Sequence, residues 1–368
     1  MTKGQLLYII TDWSGRPDKT ISGCSYYRLT QPAEALNKYS KKYDCEVVVG
    51  KDLDKFSKGK TGVNWQNLFT RYDAIIIKNV DDISAVAPMI ETRNIVGSKV
   101  IVDMDDALFD LDKQNVIYNH YRKDIINPKL TCVECLLTWA DAVFVENIRL
   151  KRYYSEQNTN IFIQPNYIDR DLAMKMKHKW VKRDSDNITI LWAGGASHKT
   201  DFELYAPVIK DVLEKHKNVT FTLFAPDNMY SLSMFPKDQV KFVPAINDWH
   251  QYMEKLNTIG AHIGLIPLAR IKFNTYKSAC KFYEYTMAGI ATIAPAYDDL
   301  PYARVIKNNN NGMLYFDGMG LRKGLDILIA NPVMRDSLAN NAYNDIVEKA
   351  AVIDHVADME AALDAVIG

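Results

Sequence analysis

Short apolar runs separated by helix-like segments recur along the whole chain, and this alternation limits the possible folds more than any other feature. The runs that have the length and composition of strands are residues 5–11, 46–49, 74–77, 100–102, 142–145, 161–163, 188–193, 220–224, 241–243, 262–267 and 291–294. Helical segments are predicted at residues 28–43, 82–92, 129–140, 203–216 and 250–256. Strands that alternate with helices form parallel sheets with helices on both faces. The sequence therefore predicts an α/β protein with doubly wound sheets.

The alternation breaks near the middle of the chain and then starts again. The turn-rich segment 164–169 (QPNYID) is followed by the polar stretch KHKWVKRDSDN, and the next apolar run begins at residue 188. A chain of 368 residues is long enough for two domains of ordinary size. We therefore predict Rossmann-like domains at residues 1–165 and 170–345, and a helical end from residue 331 to 367.

The charge balance argues against a large nucleic-acid surface. The chain has 45 Lys+Arg and 45 Asp+Glu, and only the stretch 38–60, with seven lysines and four acids, is locally basic. No apolar run reaches about 18 residues and the N-terminus has no signal-peptide pattern, so we expect a cytoplasmic protein without a transmembrane segment. The lone C-x-x-C of Cys132 and Cys135 is interpreted as two positions on a helix.

The segment 273–289 (FNTYKSACKFYEYTMAG) has the pattern of an amphipathic helix. Asn274 or Thr275 can cap its start, and the helix is predicted to run to about Ala288. Gly289 stands where a left-handed residue commonly ends a helix.

Three charged residues are predicted to share one face of this helix. Lys277, Lys281 and Glu284 lie within an arc of about 60° at roughly 100° per residue. Two ammonium groups near a helix N-terminus favour a diphosphate, because the helix dipole also attracts anions. A carboxylate about one turn further along can accept hydrogen bonds from a sugar diol. The alternative interpretation is a surface helix whose charges form solvated i,i+4 pairs.

Glycine-containing loops follow the first strand of each half. The loop DWSGRPDKTISGCSYYR follows the strand 5–11, and GGASHK follows the strand 188–193. Glycines between a strand and a helix allow a ligand to approach the backbone closely. The first loop is neither a G-x-G-x-x-G nor a Walker sequence, so it gives little support to dinucleotide or ATP binding.

Three carboxylates follow the strand 100–102, at Asp103, Asp105 and Asp106. Ligands of open α/β sheets bind beyond the carboxyl ends of the strands, so this cluster is well placed for chemistry. Two other interpretations stay open. The carboxylates could cap a helix start, or they could bind a divalent cation.

Taken in order, these segments resemble the retaining nucleotide-sugar glycosyltransferases of the GT-B fold that form family four. The resemblance covers nearly the whole chain, and phage and bacterial surface-polysaccharide enzymes carry the same variant. It rests on GCSYYRLTQPAEAL, IVDMDDALFDLD, ADAVFVENIRLKRYY, QPNYIDRDL, ILWAGGASHKTDFE, GLIPLARIKFNTYKSACKFYEYTMAGIATIAP and NNGMLYFD. The resemblance implies two Rossmann-like domains facing across a cleft, with residues of about 350–368 crossing back to the first domain.

The resemblance assigns the donor nucleotide sugar to the second domain. Glu284 is similar to the second glutamate of the family's E-x7-E motif, which binds the ribose hydroxyls, whereas Tyr276 replaces the first glutamate. The variant's pattern F-N-x-x-K-S-x-x-K-x-x-E is present as Phe273, Asn274, Lys277, Ser278, Lys281 and Glu284. The resemblance implies that Lys277 and Lys281 neutralise the leaving diphosphate.

Further donor contacts are implied in the loop after the strand 188–193. His198 and Lys199 occupy the place where related enzymes have another diphosphate-binding cation. Gly194 and Gly195 allow the backbone to approach the phosphates.

The first domain is expected to bind the acceptor. The resemblance places a polar residue at the end of the strand 100–102, so we predict that Asp105 or Asp106 is catalytic, together with Lys281 at the leaving group. Acceptor-side residues are predicted in the motif GCSYYRLT, at Gly23, Tyr27 and Arg28.

The predicted activity is transfer of a sugar, with retention, from a nucleotide-diphosphate sugar to an acceptor hydroxyl. No metal and no cofactor besides this co-substrate are expected, because GT-B enzymes commonly work without a metal. The acceptor is a surface glycan, a lipid-linked sugar or a modified base in phage DNA, and for a phage enzyme the compartment is the host cytoplasm. The alternatives are a non-catalytic sugar- or nucleotide-binding protein and a nucleotide-sugar epimerase on the same scaffold.

Overall fold

The computed structural model describes residues 3–10, 20–49, 65–78, 80–113, 115, 117–183, 186–226 and 231–368. The chain divides into two compact units. The first unit comprises Met1–Leu111, Asn119–Asp169 and Val352–Gly368, and the second comprises Asp112–Tyr118 and Arg170–Ala351. Residues 50–60 of the basic stretch 38–60, and residues 11–19 at the end of the first predicted strand and in the loop after it, lie outside the described residues.

A parallel sheet forms the centre of the first unit. Its described strands are β1 Gly4–Ile10, β2 Tyr43–Val49, β3 Ala74–Lys78, β4 Lys99–Met104, β5 Ala142–Val145 and β6 Ile161–Ile163. Their order is β2-β1-β3-β4-β5-β6, and every pairing is parallel. The order changes direction between β1 and β3, which makes this the switch point where open sheets of this type bind ligands.

Helices cover this sheet. Those before the middle of the chain are α1 Gly23–Ser25, α2 Gln31–Tyr39, α3 Trp65–Phe69, α4 Ile83–Val96, α5 Pro128–Trp139 and α6 Ile148–Tyr153. A π-helical turn, Tyr26–Thr30, joins α1 to α2, and 3-10 turns lie at Leu108–Asp110 and Tyr118–His120. Cys132 and Cys135 both lie on α5, as the sequence indicated.

The predicted helix 28–43 is wrong at both ends. Its first residues belong to the π-helical turn, and the helix ends at Tyr39 because the Ser40 hydroxyl accepts hydrogen bonds from the N–H groups of Lys42 (3.0 Å) and Tyr43 (3.1 Å). A serine that binds the backbone in this way competes with helix continuation. Tyr43 is consequently free to begin β2.

The second unit repeats the plan with a different sequence. Its described strands are β7 Ile188–Ala193, β8 Val219–Ala225, β9 Val240–Pro244, β10 Ile263–Leu265, β11 Ala291–Pro295 and β12 Met313–Tyr315. The order β12-β11-β10-β7-β8-β9 is again fully parallel. Here the switch point lies between β7 and β10. The prediction of two doubly wound Rossmann-like sheets is confirmed.

The helices of the second unit bury an apolar face against this sheet. They are α7 Arg170–His178, α8 Lys199–Lys215, α9 Trp249–Ile259, α10 Cys280–Met287, α11 Tyr302–Val305, α12 Gly318–Ala330 and α13 Pro332–Lys349. Short 3-10 turns of this unit lie at Ala196–His198, Lys237–Gln239 and Phe273–Tyr276, whereas the turn Val352–His355 belongs to the first unit. The core between them is apolar and includes Trp192, Phe202, Phe221, Leu265 and Leu325.

The last helix, α14 Val356–Ile367, belongs to the first unit and not to the second. Its apolar residues join the core around β1, and Asp364 accepts hydrogen bonds from the Tyr43 hydroxyl (2.7 Å) and Lys42 Nζ (2.6 Å). The Glu360 carboxylate accepts from the Ser40 hydroxyl at 2.6 Å. The prediction that the C-terminal residues return to the first domain is therefore confirmed.

Candidate functional site

The segment that carries most of the predicted donor residues is two short elements and not one helix. Phe273–Tyr276 is a 3-10 turn, and α10 begins at Cys280 after an N-cap residue, Ala279, that makes no side-chain cap bond. The predicted start at Asn274 or Thr275 is wrong. The Asn274 amide is instead used in the protein interior, where Nδ2 donates to Asp201 Oδ1 and to the Ala269 carbonyl, both at 2.9 Å.

The C-terminal end of α10 is as predicted. Gly289 has φ +69°, a left-handed conformation that favours glycine. A Cβ atom at this position would also lie 2.5 Å from the ring of Trp180, so glycine is required for two reasons.

Lys281, Glu284 and Tyr252 form one hydrogen-bonded cluster at the start of α10. The Lys281 ammonium donates to the Tyr252 hydroxyl and to Glu284 Oε2, both at 3.3 Å, and the Tyr252 hydroxyl donates to the same oxygen at 3.0 Å. Glu284 is 6% exposed, so the interpretation of this pair as solvated surface charges is wrong. Within the described part of the chain, no group donates to the other Glu284 oxygen.

Tyr252 reaches this cluster from α9, whose start is capped by Asp248 through a 3.0 Å hydrogen bond from the Gln251 N–H. Its ring packs against Phe224 at the end of β8, with 5.2 Å between centroids. Burial, followed by the charge of Glu284, raises the pKa of Tyr252 well above its ordinary value. The hydroxyl therefore stays protonated and remains a donor to Glu284.

Lys277 and Ser278 precede α10 and do not share a helix face with Lys281. Lys277 Nζ lies 4.4 Å from the centroid of the Phe273 ring, in a cation–π contact. The Ser278 hydroxyl lies 3.3 Å from Cys280 Sγ. The two lysines therefore approach the site from consecutive elements, one before the helix and one in its first turn.

Asp201 joins the loops that follow β7 and β10. Its Oδ2 accepts from His198 Nδ1 at 2.7 Å, while Oδ1 accepts from the Ala269 N–H at 2.8 Å and from Asn274 at 2.9 Å. The residue is 2% exposed. It fixes His198, one of the predicted donor residues, beside the segment that leads to α10. Sequence reasoning missed Asp201, because its partners Ala269 and Asn274 lie far from it along the chain and no local pattern indicates the contact.

Tyr285 holds α10 against the ends of the same two strands. Its hydroxyl accepts from the Ala193 N–H at 2.8 Å and lies 3.4 Å from the Leu265 carbonyl. A Cβ at Gly264 would lie 2.3 Å from its ring, so β10 requires glycine at this point. These contacts hold α10 at the carboxyl ends of β7 and β10, beside the switch point.

The two predicted glycines of the loop after β7 differ in their surroundings. A Cβ at Gly194 would lie 2.4 Å from the Trp192 ring, so packing alone requires this glycine. A Cβ at Gly195 would meet no atom within 4 Å, and the residue is exposed. Gly195 therefore leaves open space at the carboxyl edge of the sheet.

The helices that flank this space begin without side-chain caps. His198 and Ala279, the N-cap residues of α8 and α10, make no such bond, whereas α9, α12 and α13 are capped by Asp248, Asp317 and Asn331. Uncapped N–H groups at helix N-termini attract anions. Lys199, in the first turn of α8, forms an exposed pair with Glu203 at 3.7 Å. The arrangement favours a ligand with negative charge.

In the first unit, Asp103 is engaged in a buried ion pair with Arg28. Arg28 Nε and Nη2 donate to the two Asp103 oxygens at 2.9 and 2.7 Å, and Nη1 donates to the Asn166 side chain at 3.1 Å and to the Gln164 carbonyl. Although burial opposes it, the Asp103 carboxylate raises the pKa of Arg28 above its ordinary value. Arg28 is therefore a structural link between the end of β4 and the segment after β6.

The other two carboxylates of the cluster have different surroundings. Asp105 Oδ2 accepts from Lys78 Nζ at 3.0 Å, and Lys78 is the last residue of β3, at the switch point of the first sheet. The Asp106 carbonyl accepts from the Tyr154 hydroxyl at 2.5 Å. Both side chains are partly exposed, unlike Asp103. Asp103 therefore differs from the two candidate catalytic aspartates in both its burial and its ion-pair partner.

The predicted acceptor-side residues also differ from one another in their exposure. Tyr27 and Arg28 are buried in the π-helical turn, whereas Gly23, at the start of α1, is partly exposed.

Among the described residues, no group of three or more His, Cys, Asp and Glu side chains is arranged to hold a metal ion. In the same part of the chain, no helix is both long enough and apolar enough to cross a membrane.

Two doubly wound parallel sheets, with a C-terminal helix that returns to the first, define the GT-B fold, and the chain has this fold. No protein-family model and no curated protein matches the sequence. Solved structures do match it, several of them over almost their whole length.

Three of these structures show the extent of the likeness. HepE of Anabaena, in complex with UDP and glucose, has a TM-score of 0.65 at 12% identity and covers 98% of this chain and 100% of its own. Sucrose-phosphate synthase of Thermosynechococcus elongatus has 0.62 at 13%, with 98% of each chain covered. A putative UDP-N-acetylglucosamine 2-epimerase of Listeria monocytogenes has 0.52 at 12%, covering 99% and 96%. At such identities the likeness shows the fold.

Proposed function

We propose that the protein is a retaining glycosyltransferase that moves a sugar from a nucleotide-diphosphate sugar to an acceptor hydroxyl. The observation that carries this proposal is the cluster of Lys281, Glu284 and Tyr252 at the switch point of the second sheet. Lys281 lies in the first turn of α10, a helix that begins without a side-chain cap. A cation, an uncapped helix start and a buried carboxylate together suit a nucleoside diphosphate.

Each group has a role in breaking a sugar–phosphate bond. Negative charge grows on the leaving diphosphate, and Lys281, Lys277 and the helix N–H groups stabilise it because they are fixed before the reaction. His198 and Lys199 supply further contacts to the diphosphate. Glu284 accepts hydrogen bonds from the ribose hydroxyls, through the oxygen that no described group occupies.

The first unit supplies the acceptor side in this proposal. Asp105 or Asp106 orients the acceptor hydroxyl or steadies the positive charge that develops on the sugar. The Lys78 ammonium holds Asp105 in place. Gly23, rather than the buried Tyr27 and Arg28, is then the acceptor-side residue that a ligand can touch.

Several finer points rest on the resemblance in the sequence. They are retention of stereochemistry, activity without a metal or additional cofactor, a cytoplasmic location, and a glycan, lipid-linked sugar or phage DNA base as acceptor. HepE with UDP and glucose supports a UDP-sugar as the first donor to try. The epimerase among the similar structures keeps epimerisation as the second candidate function.

A donor panel tests the proposal. UDP-, GDP-, ADP- and dTDP-sugars are incubated with the protein, with and without simple sugar acceptors, and followed by NMR and mass spectrometry. We expect slow hydrolysis of one donor without an acceptor, and transfer of its sugar with the same anomeric configuration when an acceptor is present. Interconversion of the donor sugar without transfer would replace the proposal with epimerisation. Binding without turnover of any donor would contradict it in favour of a binding protein.

A further inference from the structure

Lys281 is not an isolated cation at the start of α10. Its ammonium donates to Glu284 Oε2 and to the Tyr252 hydroxyl, and that hydroxyl donates to the same carboxylate oxygen. The side chains of Lys281 and Glu284 are 21% and 8% exposed, so water screens their attraction only in part. The charge that would attract a phosphate is therefore already compensated inside the protein.

An anion that binds Lys281 must compete with Glu284 for the ammonium group. Inorganic phosphate and pyrophosphate are multiply charged anions that repel the carboxylate, and neither has a sugar diol that can donate to Glu284 in exchange. A nucleoside diphosphate differs, because its ribose hydroxyls can donate to Glu284 and replace the lysine hydrogens. The ribose and the diphosphate should therefore bind more tightly together than the diphosphate does alone.

We propose that Glu284 and Tyr252 make phosphate binding at Lys281 depend on the ribose, so that the site selects nucleoside diphosphates against free pyrophosphate. This inference rests on the proposed function, which takes Lys281 as a diphosphate contact and Glu284 as a ribose contact. Tyr252 is a positioning residue. Its buried ring packs against Phe224, and its hydroxyl forms hydrogen bonds with both Lys281 and Glu284 and so fixes their relative positions.

The test compares two ligands on three proteins by calorimetry. The ligands are inorganic pyrophosphate and the tightest binder among UDP, GDP, ADP and dTDP, and the proteins are wild type, Glu284→Gln and Tyr252→Phe. Glu284→Gln should bind pyrophosphate roughly fivefold more tightly, because Lys281 loses its counter-ion. It should bind the nucleoside diphosphate about tenfold more weakly, because the ribose loses a charged acceptor.

Tyr252→Phe keeps both charges and removes only the shared hydroxyl. It should lower the ratio of nucleoside diphosphate to pyrophosphate affinity about threefold. The matched control is Glu214→Gln, which makes the same chemical change in an exposed Lys210–Glu214 pair (3.6 Å) on α8 and should leave both affinities unchanged.

The outcomes separate this inference from the proposed function. If the wild type binds no nucleoside diphosphate of the panel, the proposed function fails and the inference fails with it. If it binds one, but pyrophosphate binds Glu284→Gln no better than wild type, the inference alone is overturned. Should Glu284→Gln not fold, an unchanged affinity ratio in Tyr252→Phe overturns it.

Discussion

The two units hold their buried charges in different ways. In the first unit, Arg28 and Asp103 are joined by short hydrogen bonds of 2.7 and 2.9 Å, and Asp103 is 1% exposed. In the second, Lys281 and Glu284 are 3.3 Å apart and share the Tyr252 hydroxyl. The first arrangement uses its donors inside the protein and fixes the backbone. The second leaves a carboxylate oxygen without a described donor, so its groups can exchange partners with a ligand.

Burial alone therefore does not identify a candidate functional charge. Asp103 belongs to the same acidic cluster as the predicted catalytic residues Asp105 and Asp106, yet its carboxylate is fully engaged with Arg28. We therefore expect a binding group to keep hydrogen-bonding capacity that the fold itself does not use.

The largest effect is expected when the structural pair of the first unit is broken. Arg28→Met would leave Asp103 buried without its counter-ion, and such a loss typically destabilises a protein by about 3–5 kcal/mol. The free energy of unfolding in urea measures it. Arg122→Met, in an exposed pair with Asp124 at 2.8 Å, is the control and should lose less than about 1 kcal/mol. Equal losses in the two variants would show that the Arg28 pair is not structural.

The next effect concerns the two partly exposed aspartates. One of Asp105→Asn and Asp106→Asn should lose sugar transfer by about 10²–10⁴-fold, because general-base assistance has this size. Both variants should fold normally and bind nucleotide as wild type does. Steady-state transfer assays and calorimetry on the same preparations measure the two properties. Full turnover in both variants would assign the cluster to helix capping and place the catalytic group elsewhere.

A smaller effect is expected at the Lys281–Glu284 pair of the second unit. Glu284→Ala and Lys281→Ala should each weaken nucleoside diphosphate binding by about 1.5–3 kcal/mol, the contribution of a charge-assisted hydrogen bond. Lys281→Ala should also slow the chemical step, since its charge matters most as the diphosphate departs. Lys210→Ala on α8 removes an exposed lysine and serves as the control. Unchanged binding in both site variants would show that α10 is not the donor helix.

The smallest effect concerns how the Arg93–Asp141 pair of the first unit makes the stability of the protein depend on pH. Burial disfavours the charged form of Asp141, but hydrogen bonds from Arg93 (2.7 Å) and the Val100 N–H (2.8 Å) outweigh it and lower the pKa of Asp141 below its ordinary value. A carboxyl with a depressed folded pKa stabilises the protein above its unfolded pKa, and this contribution is lost as the pH falls through the folded value. Asp141→Asn should therefore lose less stability than wild type between pH 5 and pH 3, by less than about 1 kcal/mol. Identical pH dependence in the two proteins would contradict this assignment.

The sequence predicted the architecture well because the apolar runs are strong local signals. The predicted strands 142–145, 161–163 and 188–193 have the ends that the structure shows. Elements with weak local signals were missed. The strand Met313–Tyr315 has three residues, and the helix Gly318–Ala330 begins with Gly-Met-Gly, which is a poor helix start by composition.

The candidate site was predictable in its residue types but not in its connections. Lys281 and Glu284 could be paired from their spacing on one helix. Tyr252 and Asp201 could not be found, because they meet the site only after β8 and β10 have been placed beside β7. The same long-range contact explains the wrong helix start, since Asn274 is held by Asp201 and does not cap α10.

A crystal structure with the tightest-binding nucleoside diphosphate tests the central claim most directly. The account predicts a diphosphate beside Lys281 and the N-termini of α8 and α10, close to Gly195, with the ribose hydroxyls on Glu284 and the Lys281–Glu284 hydrogen bond lengthened. A nucleotide bound elsewhere in the second unit, with Lys281 still bound to Glu284 and Tyr252, would contradict it.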